Sequence, residues 1–194
     1  MRSSTIVAGA LTLVPSALAI PFPYSWLQAR ACIGPDINGA TIALIKEFEG
    51  FVASPEPDPI GLPTVGYGHL CETEGCSEVN FPLTEETATA LLMEDVVEFQ
   101  QDITLDTSAS VVLNDNQYGA LVSWAYNVGG GNVASSTLIK RLNAGEDTNT
   151  VIAEELPKWN KAGGSVLPGL TRRRAAEVEL AKTASSTPAL PVGC

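Results

Sequence analysis

Between Phe51 and Leu83 the helical spacing of apolar residues disappears, and it is present on both sides of that stretch. The segment is rich in Pro, Gly, Thr and Tyr, with short alternating pieces such as Thr64-Val65-Gly66-Tyr67, which predicts a small, irregular β region. Before it, Asn38 is placed to cap a helix running to Glu49, with Thr41, Leu44, Ile45 and Phe48 on one face and Gly50 as the stop. After it, Thr84 caps a long helix whose stripe is Ala88, Leu91, Leu92, Asp95, Val96 and Phe99. From Asn114 or Asp115 another helix runs to Val128, apolar nearly all round and therefore buried on most sides, with Gly129-Gly130-Gly131 as its end. Shorter helices are expected around 135–143, 148–160 and 171–183. The pattern is a segregated α+β fold, mainly helical with a small β lobe, and the joint between such lobes is a natural cleft.

Residues 1–19 read as a secretory signal: Arg2, a short apolar run from Ile6 to Val14, and an Ala17-Leu18-Ala19 cleavage site. Residues 20–30 read as a pro-segment trimmed after Arg30, leaving one domain over 31–194 in a secreted protein. No other stretch is long and apolar enough to span a bilayer, so no membrane partner is expected. All four cysteines, Cys32, Cys71, Cys76 and Cys194, follow the leader, and an even count in a secreted chain implies two disulfides. Cys71 and Cys76 flank Gly75 and suit a local clip, which leaves Cys32 and Cys194 to tie the ends. Their spacing is not that of a zinc knuckle, so no metal is expected.

With Lys+Arg 11 against Asp+Glu 22, the chain is a poor candidate for nucleic acid, whose phosphates need clustered cations. The single histidine, His69, excludes multi-histidine metal sites. Glu49 stands in the last turn of its helix, where the dipole is negative, flanked by Phe48 and Phe51. Both effects disfavour the carboxylate and suit a proton donor. Asp58 follows in the stiff segment Pro55-Glu56-Pro57-Asp58-Pro59, and then come Thr64, Gly66, Gly68 and His69. One proton donor and one ionised carboxylate across a cleft is what glycosidic hydrolysis requires. Taken singly, a helix-terminal Glu is usually solvated and Pro-Glu-Pro-Asp-Pro is an acidic turn. Gly66-Tyr67-Gly68 lacks the third glycine and the helix of a nucleotide loop.

In combination, Glu49-Gly50, Asp58 and Gly61-Leu62-Pro63-Thr64-Val65-Gly66-Tyr67-Gly68-His69 resemble the active-site region of phage-type lysozymes, glycoside hydrolase family 24. Asn116-Gln117, Ala120 to Ser123 and Asn127-Val128-Gly129 are similar to the family's buried helix and cleft edge. Gly169-Leu170, Arg172 to Arg174 and Glu177 are similar to its late arginine helix. The leader suggests a secreted, fungal-like member. The resemblance implies a lysozyme-like fold and a monomeric, cofactor-free muramidase acting on the β-1,4 bond between N-acetylmuramic acid and N-acetylglucosamine of bacterial peptidoglycan. It implies Glu49 as general acid, with Asp58 either stabilising charge or acting with Thr64 to place the attacking water. Leu70, Tyr126 and Asn127 are candidates for lining the sugar cleft. One late arginine should orient Glu49: direct alignment favours Arg172, whereas the Gly-Leu-x-x-Arg-Arg form favours Arg173. His69 and Asp95 are implied as an ion pair between β lobe and long helix, with the aspartate's pKa lowered. Two other readings stand beside the enzyme. One is a non-catalytic peptidoglycan- or chitin-binding module, and the other is a disulfide-stapled structural protein. The joint presence of Glu49, Asp58 and Thr64 favours catalysis. The strong negative charge predicts better activity in mildly acidic solution, where carboxylates protonate and repulsion from an anionic wall falls.

Overall fold

The computed structural model describes residues 32–57 and 61–193. The leader and pro-segment (1–30), Asp58 and Cys194 lie outside the described residues.

Helix α1 is Gly39–Glu49. The Asn38 side chain accepts from the Thr41 amide, and Gly50 ends the helix at φ 74°. Thr41 and Ile45 are buried, as the spacing predicts, whereas Leu44 and Phe48 are half-buried. The β lobe follows as an antiparallel sheet in the order β1 (Val52–Pro57), β2 (Pro63–Gly66), β3 (His69–Leu70). A turn of 3₁₀ helix, Glu74–Cys76, closes the lobe, and the Cys71–Cys76 disulfide clips it. Cys32 is also disulfide-bonded.

Helix α2, Glu85–Asp106, begins at a capping box in which Thr84 and Thr87 satisfy each other's amides. Helix α3, Asp115–Val128, begins at a second box between Asn114 and Gln117. Its residues Tyr118, Ala120, Leu121, Val122, Trp124 and Ala125 are all at 0% exposure, so it is the axis of the molecule. Helix α1 packs closely on it because position 119 is glycine: a Cβ there would overlap the Thr41 hydroxyl. Then follow α4 (Gly130–Ser135), α5 (Thr137–Asn143), α6 (Thr148–Glu155) with a 3₁₀ extension Leu156–Lys158, and α7 (Pro168–Lys182).

Three features depart from the sequence reading. The glycine run does not simply end α3: Gly129, at φ 84°, is at once the C-cap of α3 and the N-cap of α4, and Gly130 and Gly131 belong to the new helix. Before α7 lies a small hairpin of β5 (Lys161–Ala162) and β6 (Ser165–Val166). After α7, β7 (Pro188–Leu190) pairs antiparallel with β4 (Leu113–Asn114), which fastens the chain's end beside the start of α3. The result is a mainly helical α+β fold, with α1, α2 and α7 gathered round α3 and the β lobe set against α2.

Candidate active site

A cleft of about 680 Å³ opens between the β lobe and the helices. Glu49, His69, Leu70, Tyr126 and Asn127 line it, as do Glu72 from the clipped loop and Glu94, Asp95, Glu98 and Phe99 from α2. The end of α1 delivers Glu49 to the cleft edge, where Gly50 turns the chain into the sheet. Gly68, between β2 and β3, lies directly beneath it. Gly68 has φ 95°, and a Cβ there would come within 3.4 Å of Glu49 Oε2 and 3.1 Å of the Tyr126 hydroxyl. A side chain at position 68 would be strained and would crowd the carboxylate.

The other oxygen of Glu49 is held from behind. Arg173 Nη1 donates to Glu49 Oε1 at 2.6 Å, and the Arg173 guanidinium also lies over the Phe48 ring at 5.9 Å. Arg173 Nη2 donates to the Ser123 carbonyl at 3.1 Å, and its Nε to Glu177 Oε1 at 3.3 Å. This settles which late arginine meets Glu49. Arg172 is exposed and makes no ion pair among the described residues. The reason is helical phase: Arg173, Arg174, Glu177, Val178 and Ala181 form the buried stripe of α7, and Arg172 falls outside it.

Glu177 is fully buried, and sequence reasoning left it without a role. Its Oε1 accepts from Ser123 Oγ at 2.9 Å, from Arg173 Nε and from Arg174 Nη2 at 3.0 Å, and its Oε2 lies 2.9 Å from Arg174 Nε. Burial pushes its carboxyl up, against the pull of the two arginines. Burial likewise pushes Arg174 down to about 10. Arg174 Nη2 donates to Asn127 Oδ1 at 3.0 Å, so the cleft-edge asparagine is tied to the same network. The spacings Arg173–Glu177 (i, i+4) and Arg174–Glu177 (i, i+3) were the available signal.

Tyr126 lines the cleft with its ring, which meets Phe99 edge-on at 5.3 Å. Its hydroxyl donates to the Tyr67 carbonyl at 2.8 Å and pins the β2–β3 turn to α3. Burial raises the Tyr126 pKa, which keeps that hydroxyl a donor. Leu70 presents an exposed apolar side chain to the cleft. Thr64 is paired with Leu70 across β2 and β3, hence on the same face of the sheet. Its hydroxyl donates to the Glu56 carbonyl at 3.3 Å. Among the described residues of the three assigned to chemistry, Glu49 lines the cleft and Thr64 does not.

His69 Nδ1 lies 2.9 Å from Asp95 Oδ1, joining the β lobe to α2, with Glu78 Oε1 at 3.7 Å from Nε2. His69 pulls the aspartate's pKa down, as expected of the pair, but the net shift is upward. Desolvation of Asp95 outweighs both the hydrogen bond and the charge of His69, and Glu94 and Glu72 add repulsion, so the Asp95 carboxyl sits above its ordinary value. The α2 wall is acidic throughout. Burial and the neighbouring Asp102, Asp95 and Glu72 also raise Glu98, and burial raises Asp102. Among the described residues the only cluster with metal-ligand spacing is Cys71, Cys76 and Glu78, and the two cysteines are joined to each other.

Residues 46–177 match the Phage lysozyme family. The endolysin of Bacillus phage B103 is 41% identical over 157 residues, which cover 78% of this chain and 56% of that protein. The chain thus spans little more than half the length of that endolysin. The endolysin of Acyrthosiphon pisum secondary endosymbiont phage 1 is 35% identical over 76% of this chain and 99% of its own. Among solved structures, the muramidase domain of SpmX from Asticaccaulis excentricus superposes with a TM-score of 0.65 at 31% identity, over 76% of this chain and 98% of that domain.

Proposed function

Since the chain belongs to the phage lysozyme family, we propose that it is a secreted muramidase hydrolysing the β-1,4 bond between N-acetylmuramic acid and N-acetylglucosamine in bacterial peptidoglycan. The observation that carries this reading is the carboxyl of Glu49 at the cleft edge, with one oxygen fixed by the buried Arg173 and the other over Gly68. A carboxyl gripped at one oxygen can present a proton on the other in a fixed direction. Glu49 gives that proton to the glycosidic oxygen, the bond from that oxygen to the anomeric carbon breaks, and water supplies the hydroxyl that replaces it, its other proton passing to a carboxylate of the site and restoring the charge balance. The Arg173 guanidinium stabilises the carboxylate left behind, at the moment when charge develops. Asp58 serves as the second carboxylate, either stabilising charge or acting with Thr64 to place the attacking water. Leu70, Tyr126 and Asn127 line the path of the glycan. The leader read at 1–19 and the disulfides support secretion. The fungal-like character rests on the style of that leader.

Lysis of a Gram-positive cell-wall suspension tests the assignment. Glu49→Gln retains the shape and loses the transferable proton, so lysis should fall by roughly 10²–10⁴-fold while the protein still folds. Equal lysis by both proteins would remove Glu49 from the mechanism, and no lysis by either would favour a binding module.

A further inference from the structure

Helix α7 carries a charge where a packed helix normally carries a leucine. Glu177 has no exposed surface, it is out of reach of any glycan in the cleft, and nothing in the acid's own chemistry uses it. Its environment is nevertheless specific. One oxygen accepts three hydrogen bonds, from Ser123, Arg173 and Arg174, and the other faces Arg174. Each arginine then reaches outward to a different cleft residue: Arg173 to Glu49, and Arg174 to Asn127. Two buried guanidiniums side by side repel each other, and without an anion between them neither would keep its orientation.

We propose that Glu177 is the positioning residue of this site, holding the general acid Glu49 and the cleft-edge Asn127 in register through Arg173 and Arg174. The inference rests on the muramidase reading and extends it inward by one layer. The ionisable groups around Glu49 are Arg173, Arg174 and Glu177 from α7, the Tyr126 hydroxyl from α3, and, lining the same cleft, His69 and Glu72 from the β lobe and Glu94, Asp95 and Glu98 from α2. Glu177 balances one of the two positive charges behind the acid. Removing that negative charge favours the Glu49 carboxylate over its protonated form, and removing Arg174 does the reverse.

The test compares Glu177→Gln and Arg174→Gln with the wild-type protein on cell walls, each assayed well below its melting temperature. Glu177→Gln keeps an acceptor oxygen and the volume of the side chain. Misplacement of a catalytic group by a fraction of its reach lowers kcat by roughly 10- to 100-fold, and KM should change little. The alkaline limb of the pH–rate profile should move to lower pH in Glu177→Gln and to higher pH in Arg174→Gln. A structural role alone would lower the melting temperature of both and shift neither limb. Wild-type kcat and an unmoved profile in Glu177→Gln would overturn the proposal. Should that variant not fold, an unmoved limb in Arg174→Gln would overturn it. A wild-type protein that does not cleave, or a Glu49→Gln protein as active as wild type, would instead overturn the muramidase reading on which it stands.

Discussion

On the α7 side of the cleft the buried charges have counter-charges: Glu49, Arg173, Glu177 and Arg174 alternate in sign through the interior, and the serine and asparagine of α3 add hydrogen bonds to them. On the α2 side, Glu72, Glu94 and Glu98 meet no cation among the described residues, and their neighbour Asp102 adds to the repulsion. The difference follows from solvent. Water screens the exposed acids of α2, which can therefore be left unbalanced at small cost. The α7 charges have no water, so each must be neutralised by protein or destabilise the fold. Where a charge must hold a fixed position, the chain places it in the dry wall. The wet wall supplies only a field.

The sharpest way to break this contrast is to delete one charge from each wall. Arg173→Met leaves Glu177 with a single cation and Glu49 with none, and removing one partner of a buried pair costs about 3–5 kcal/mol. Glu94→Gln, exposed and unpaired, should change stability by no more than about 0.5 kcal/mol. Urea denaturation of the two variants measures both. A loss under about 1 kcal/mol in Arg173→Met would mean that the interior network is hydrated.

His69 and Asp95 lie between these extremes, half-buried and paired. His69→Leu removes the donor to Asp95 and should cost about 1–3 kcal/mol. His69→Asn, whose amide can donate from nearly the position of Nδ1, should recover part of it. Desolvation already holds the Asp95 carboxyl above its ordinary value, and losing His69 removes the two influences that pull it down. The loss is therefore largest near neutral pH and disappears below about pH 4, where the carboxyl is protonated in both the folded and unfolded states. Melting curves at the two pH values check this. Lytic activity should persist in both variants, and its abolition in a stable His69→Asn protein would bring the histidine into the chemistry.

Legibility differed between these walls for a physical reason. The helices could be read because their ends are written locally: Asn38, Thr84 and Asn114 each satisfy amides within three residues of themselves. Helix α4 was missed because glycine signals a stop, and Gly129 serves as stop and start together. The β4–β7 pairing joins strands of two and three residues, too short for any alternation to show. At the site, Glu49, His69 and Asp95 carried recognisable spacings. Glu177 stood at such a spacing from Arg173 and Arg174 but received no role, because a glutamate in a helix is nearly always solvated. Only the contact between α7 and α3, a long-range fact, makes it interior.

The smallest expected effect tests whether the α2 wall costs the fold anything at all. Glu98 and Asp102 both have carboxyls raised above their ordinary values, chiefly by burial. A raised folded value means that the native chain keeps protons which the unfolded chain has already released. Stability then falls as pH rises from the unfolded value, about pH 4, through the folded one. Below that window both states are protonated and the contribution is absent, and above it the cost is constant. Glu98→Gln with Asp102→Asn, one exposed and one half-buried position, should therefore stabilise the protein at pH 7 by a few tenths of a kcal/mol, about 0.5, and by nothing at pH 3. The neighbouring Asp106, raised by its own burial and by Asp102, should titrate nearer its ordinary value once Asp102 is neutral. Equal stabilisation at both pH values would mean that the amides act through packing or helix propensity, and that the wet wall's charge costs the fold nothing.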